Sequence, residues 1–253
     1  MSLHHTALGA GRDLVLVHGW GTHGGIWSEL ADGLAQRFRL HVVDLPGCGE
    51  SADCEPYSLD HVATVLARDM PARCRVVGWS LGGQIALAWA QKAPHQVESV
   101  ALIATNPCFA RRKDWPHAVS SEVLQEFGRA LATDCLGTLQ RFFSLQAFGD
   151  ERKRDAAARL RACLRRRGVP SAAALAGGLN ILLEADQRAE LAAISQPVLV
   201  LHGERDHVAP LGAGEHLGRS LPNAELVVIP GAAHAPFITA LPEVSAHLTR
   251  FFQ

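Results

Sequence analysis

"VVGWSLGGQIALAWA" (residues 76–90) runs from two valines through Gly-Trp-Ser-Leu-Gly-Gly into a run of helix formers. A serine therefore stands between a strand and a helix. Gly78-Trp79-Ser80-Leu81-Gly82 is a G-x-S-x-G in the context that a nucleophile elbow requires. Such a tight strand–turn–helix holds its central residue in a strained backbone region, so its neighbours must be small. Ser80 then lies at a helix N-terminus, where the backbone dipole favours developing negative charge. The bland alternative is a Gly/Ser-rich turn at a strand end, and the rest of the chain has to decide between the two.

Working outward, the same kind of stretch recurs. "DLVLVHG" (13–19), "LHVVDLPG" (40–47), "ESVALIATNP" (98–107), "QPVLVLHGERD" (196–206) and "AELVVIPGAAH" (224–234) each have an apolar, mostly β-branched core ending in Gly, Pro, Asp or Asn. Continuous apolarity marks strands buried on both faces, hence a parallel sheet. Helical runs lie between them, such as "GIWSELADGLAQRF" and "PEVSAHLTRFF", the latter with Pro242 suited to a first turn. The pattern is α/β, a doubly wound sheet with ligands at the carboxyl ends of its strands. "TALGAGRDL" near the start suggests a hairpin and an antiparallel first strand.

The alternation stops between Pro107 and about Arg188, where only helical patterns remain. We expect a lid over 107–188, inserted into a core formed by 1–106 and 189–253. Residues 111–167 hold 13 Lys and Arg against 7 Asp and Glu, whereas the remainder holds 11 against 18. The insertion is therefore basic and the core acidic.

The chain has 253 residues, 48% of them hydrophobic, enough for a sizeable core. A net charge of −1 gives no global field toward nucleic acid. Six cysteines without a CxxC pair fit scattered reduced thiols better than a disulfide framework or a zinc site. The N-terminus has no basic segment followed by an apolar one, so no signal peptide is expected. The apolar runs are too short to span a bilayer.

A serine hydroxyl needs a base. In this fold the order along the chain is serine, acid, histidine. Among thirteen histidines, His234 of "PGAAHAPF" lies in the loop after the last strand, where the base belongs. His216 and His247 fall within helices, His202 within a strand, and His18 reads as a residue that shapes the loop after it. The acid belongs after the penultimate strand, where "GERDHVAP" offers Glu204 and Asp206; the apolar residue and Pro210 that follow favour Asp206. At the end of an earlier strand, the other place for an acid, the chain has uncharged Asn106. The oxyanion needs backbone donors: Leu81 after the nucleophile, and Trp20 in "HGWGTHGG" (18–25).

The stretches "LVHGWG", "VDLPGCGES", "GWSLGGQIAL", "NPCFARRKDWP", "RFFSLQAFG", "GGLNILLEAD" and "AAHAPFI" together resemble the pimeloyl-[acyl-carrier protein] methyl ester esterases of biotin synthesis, over essentially the whole chain. The resemblance implies an α/β-hydrolase fold with a helical lid inserted after the sixth strand. It implies Ser80, Asp206 and His234 as the catalytic set, with Trp20 and Leu81 as oxyanion donors lining the pocket and Phe142 packing on the acyl chain. The implied substrate is a methyl ester on an acyl carrier protein, with small esters also accepted. Carrier proteins are acidic, which the basic insertion would meet through Arg141, Arg154 and Arg159. The chain departs from the family at Gly137 and Ala158, where the family uses arginine. No metal or organic cofactor is required, and neither nucleic acid nor membrane is an expected partner. A cytoplasmic monomer is expected. The rival readings are a short-chain esterase, lactonase or thioesterase of this fold, or a hydrolase-fold protein that only binds its ligand.

Overall fold

The computed structural model describes residues 2–253, apart from the side chain of Arg166. In chain order the core begins with β1 (His5–Leu8), β2 (Arg12–Val17), α1 (Ser28–Leu34), β3 (Phe38–Val43), α2 (Leu59–Asp69), β4 (Cys74–Trp79), α3 (Leu81–Lys92) and β5 (Val97–Ile103). Four helices follow: α4 (Ser121–Leu131), α5 (Cys135–Gln146), α6 (Lys153–Arg167) and α7 (Ala172–Glu184). The core resumes with β6 (Val198–Gly203), α8 (Leu211–Ser220), β7 (Ala224–Ile229), α9 (Pro236–Thr239) and α10 (Leu241–Phe252).

The seven strands form one sheet in the order β1-β3-β2-β4-β5-β6-β7. All pairings are parallel except β1 with β3. The first strand is thus antiparallel, but the expected hairpin with β2 does not form. β1 crosses to pair with β3 instead, His5 opposite Val43. Gly9 and Gly11, at φ +76° and +112°, carry the chain round this turn. A Cβ on Gly9 would lie 2.3 Å from the Ala35 carbonyl oxygen. One antiparallel strand therefore precedes the parallel set, and the four-helix block follows the fifth strand rather than the sixth. The central strands are buried on both faces, β6 throughout, because helices cover both sides. That is why these stretches read as unbroken apolar runs.

The long helical run of 120–148 breaks in two. Thr133 and Asp134 end α4, and Asp134 caps α5 by accepting the Gly137 N–H at 2.9 Å. Ser120 and Ser171 cap α4 and α7 in the same way. α6 packs on α5, on the turn at Gly24–Trp27 and on α9, while α7 packs on α4 and α3. The block is thus fastened to the carboxyl-end rim of the sheet. Among the described residues no helix is long and apolar enough to cross a membrane, and all six cysteines are unbridged.

Candidate active site

β4 ends at Trp79 and α3 begins at Leu81, so Ser80 alone makes the turn. Its φ is +56° and ψ −119°, a conformation that an L-residue occupies only at a cost of about 1–3 kcal/mol. Two glycines make it possible. A Cβ on Gly78 would lie 2.4 Å from the Gly82 carbonyl oxygen, and one on Gly82 would lie 2.3 Å from that of Val17. The chain is pinned there by the Ser80 N–H, which donates to the Ile103 carbonyl at 3.0 Å.

Three strand ends bring the polar set together. Ser80 Oγ lies 2.9 Å from His234 Nε2. His234 Nδ1 lies 2.8 Å from Asp206 Oδ2. Asp206 Oδ1 accepts the N–H groups of Val208 and Ala209, each at 2.8 Å. With the carboxylate fixed by two backbone donors, Nδ1 of the imidazole donates to it and Nε2 is left to accept from the serine. Ser80, Asp206 and His234 are 2%, 5% and 0% exposed, so water competes little with these bonds. Trp79 Nε1 donates to the His234 carbonyl at 2.7 Å. The other acid that the sequence offered, Glu204, instead accepts the Gly231 N–H at 2.9 Å. Asn106 organises its own turn, accepting from the Cys108 N–H and donating to the His117 carbonyl.

The Gly-rich loop after β2 faces this set. Leu81 is the first residue of α3, so its N–H has no acceptor within the helix. Trp20 is 3% exposed, and its indole N–H donates to the Leu175 carbonyl of α7 at 2.9 Å. The Phe142 ring of α5 meets the Trp20 indole. His18 shapes the loop: its Nε2 accepts the Leu45 N–H at 3.0 Å and its Nδ1 donates to the Gly19 carbonyl at 2.9 Å. Burial lowers the His18 pKa to about 4, which keeps the ring neutral. Asp44 fastens the same loop by accepting the Gly24 N–H at 2.7 Å, and receives Arg167 of α6 at 3.1 Å. Burial works against its charge, but the N–H groups of Glu50 and Gly24 and the neighbouring imidazoles leave its carboxyl below the usual range.

Gln146 escaped the sequence reading. It is 1% exposed, neither side-chain amide atom has a partner among the described residues, and its carbonyl accepts the His234 N–H at 3.2 Å. Its i+4 spacing from Phe142 was the available signal. The three arginines fall on the outer insertion but differ. Arg154 is exposed and makes no ion pair among the described residues. Arg141 bonds within α5, to Thr138. Arg159 is joined to Glu29 of α1. Cys48 and Cys108 are buried, and burial raises both thiols.

The family model for the alpha/beta hydrolase fold matches residues 14–241. The chain is 46% identical over 238 residues to the pimeloyl-[acyl-carrier protein] methyl ester esterase of Nitrosomonas europaea, covering 94% of each chain. It is 44% identical to the protein of that name from Chromobacterium violaceum, covering 94% of this chain and 93% of that one. Among solved structures it is similar to an esterase from Exiguobacterium antarcticum, with a TM-score of 0.90 at 20% identity, covering 98% of this chain and 94% of that one. A bromoperoxidase from Bacillus anthracis gives 0.88 at 21% identity, covering 99% and 95%. These two likenesses concern the fold alone.

Proposed function

Because the chain belongs to the alpha/beta hydrolase fold family and, within it, to the pimeloyl-[acyl-carrier protein] methyl ester esterases, we propose that it hydrolyses the methyl ester of a pimeloyl chain carried on an acyl carrier protein, releasing methanol in biotin synthesis. The observation that carries the mechanism is the line Ser80–His234–Asp206, closed at 2.9 and 2.8 Å.

Ser80 Oγ attacks the ester carbonyl as its proton passes to His234 Nε2. Asp206 keeps Nδ1 protonated and stabilises the imidazolium, without itself taking the proton. The N–H groups of Leu81 and Trp20 receive the oxyanion, where preorganised donors act most strongly. His234 then protonates the departing methoxide. Water, deprotonated by the same imidazole, attacks the acyl-serine, and His234 returns that proton to Ser80 Oγ as the acyl–oxygen bond breaks and the acid is freed. Phe142 packs on the methylene chain. No step calls on a metal or an organic cofactor.

Residues 107–188 act as a lid on the core of 1–106 and 189–253. The lid's basic surface receives the acidic carrier, Arg154 being the contact with no ion pair among the described residues, with Arg141 and Arg159 as further contacts. The protein works in the cytoplasm as a monomer. The test is methanol release from the carrier-borne methyl ester, together with growth of a biotin-requiring strain that lacks its own enzyme. Turnover of small esters without turnover of the carrier-borne ester would overturn the substrate assignment.

A further inference from the structure

We propose that Asp150 is a positioning residue that aims the His234 imidazole from the helical insertion; the proposal rests on His234 being the base. Asp150 lies in the turn between α5 and α6, 83 residues from the nearest part of the histidine loop that it touches. Asp150 is 6% exposed, and its carboxylate makes no ion pair among the described residues. Oδ1 accepts the Arg152 N–H at 2.7 Å. Oδ2 accepts the Ala233 N–H at 2.9 Å and the Thr239 hydroxyl at 2.9 Å.

Two neighbouring bonds act in the same direction. The Glu151 N–H donates to the Gly231 carbonyl at 3.1 Å, and the His234 N–H donates to the Gln146 carbonyl at 3.2 Å. Gly231, Ala233 and His234 are thus all held by one short segment, residues 146–151. The His234 side chain departs from the backbone between the Ala232–Ala233 peptide and Thr239, the last residue of α9. Asp150 grips both ends of that span.

Holding the turn before α6 does not account for this arrangement. A serine in that place would accept the Arg152 N–H without the desolvation of a buried carboxylate. The second oxygen, turned onto Ala233 and Thr239, is what the charge adds. Bonds from N–H donors to an ionised acceptor are shorter and stronger than neutral ones. Displacing a reacting group by about 1 Å can cost 10²-fold.

The test compares Asp150→Ser, Asp150→Ala and Asp150→Asn with wild type. Readouts are the rate of fluorophosphonate labelling at Ser80 per folded molecule, kcat and KM on a small ester, and the downfield proton resonance of the His234 Nδ1–H bonded to Asp206. Asp150→Ser keeps the bond to Arg152 and loses the grip on Ala233. It should label about tenfold more slowly or worse, lose kcat at little changed KM, and show a weakened downfield proton. Asp150→Ala should behave likewise. Asp150→Asn, whose remaining oxygen can accept the Ala233 N–H, should recover to within about threefold of wild type. Phe252→Leu, against Phe38 at the opposite rim, is the control for general loss of stability and should keep both the rate and the resonance.

Wild-type labelling and an unchanged resonance in Asp150→Ser would overturn the proposal. So would an equal loss in Phe252→Leu at matched Tm. Failure of wild type to label at Ser80 would overturn the site assignment beneath it. Labelling of wild type without methanol from the carrier-borne ester would overturn only the substrate, and the Asp150 comparison would still decide.

Discussion

Trp20 and Phe142 meet edge to face, their ring centroids 4.8 Å apart and their planes at 89°. One comes from the Gly-rich loop after β2 and the other from α5. Phe142 also packs edge-on to Phe127 of α4, at 5.6 Å. The donor proposed for the oxyanion is thereby roofed by the insertion, and the roof is aromatic.

Removing that roof should affect long acyl chains more than short ones. Phe142→Ala should lower kcat/KM for a pimeloyl methyl ester about tenfold, mainly through KM, which corresponds to about 1.4 kcal/mol of lost contact. An acetyl ester should be nearly unaffected. Steady-state kinetics on the two esters decides it, and equal losses on both would contradict a contact with the chain.

At Ser80 the usual order of alanine and glycine should invert. Both Ser80→Ala and Ser80→Gly lose the nucleophile, and turnover should fall on the order of 10³-fold or more. Only glycine takes φ +56° without strain. Ser80→Gly should therefore be more stable than Ser80→Ala by about 1 kcal/mol, against the ordinary preference for alanine. Urea unfolding of the pair measures it; a more stable alanine variant would deny the strain.

His18 should make the protein sensitive to mild acid. Its folded-state pKa is about 4 against 6.5 for the free side chain. Between those values the unfolded chain binds a proton that the folded one refuses, so stability rises with pH across that window and is lost as pH falls through it. The full effect below about pH 4 amounts to about 3 kcal/mol. In His18→Gln the difference in unfolding free energy between pH 7 and pH 4.5 should shrink accordingly. A slope equal to that of wild type would assign the acid sensitivity elsewhere.

The arginines of α6 should separate into two kinds. Arg154→Glu should weaken turnover of the carrier-borne ester several-fold at low salt, with the loss fading as salt screens the charge, and should spare small esters. Arg159→Ala removes a half-exposed ion pair with Glu29 and should cost at most about 1 kcal/mol of stability. A salt-independent loss at Arg154, on small esters as well, would argue against carrier docking.

Much of this was legible because chemistry and local pattern coincide. Ser80, Asp206 and His234 each follow a strand with an apolar core, and in a parallel sheet the ends of such strands share one rim. Their approach to within hydrogen-bonding distance follows from topology. His18 could be read as a shaper of its loop because it adjoins the glycines. What the sequence hid is pairing across distance. β1 pairs with β3 rather than β2, and its partner strand lies outside "TALGAGRDL". Asp150 reads as a turn aspartate before a helix, and so it is, through one oxygen; nothing local announces that the other reaches Ala233. Arg159 and Arg154 look alike in a run of arginines, and only the packing of α6 on the turn at Gly24–Trp27, just before α1, gives one of them Glu29.

The grip of residues 146–151 on the loop around His234 bears on protein engineering. Hydrolases of this architecture invite transplantation, in which the cap of one is sewn onto the body of another to change what it accepts. Here a foreign cap would have to bring its own acceptors for the amides of residues 233 and 234. Without them, the chimera would inherit a new doorway and a misaimed imidazole.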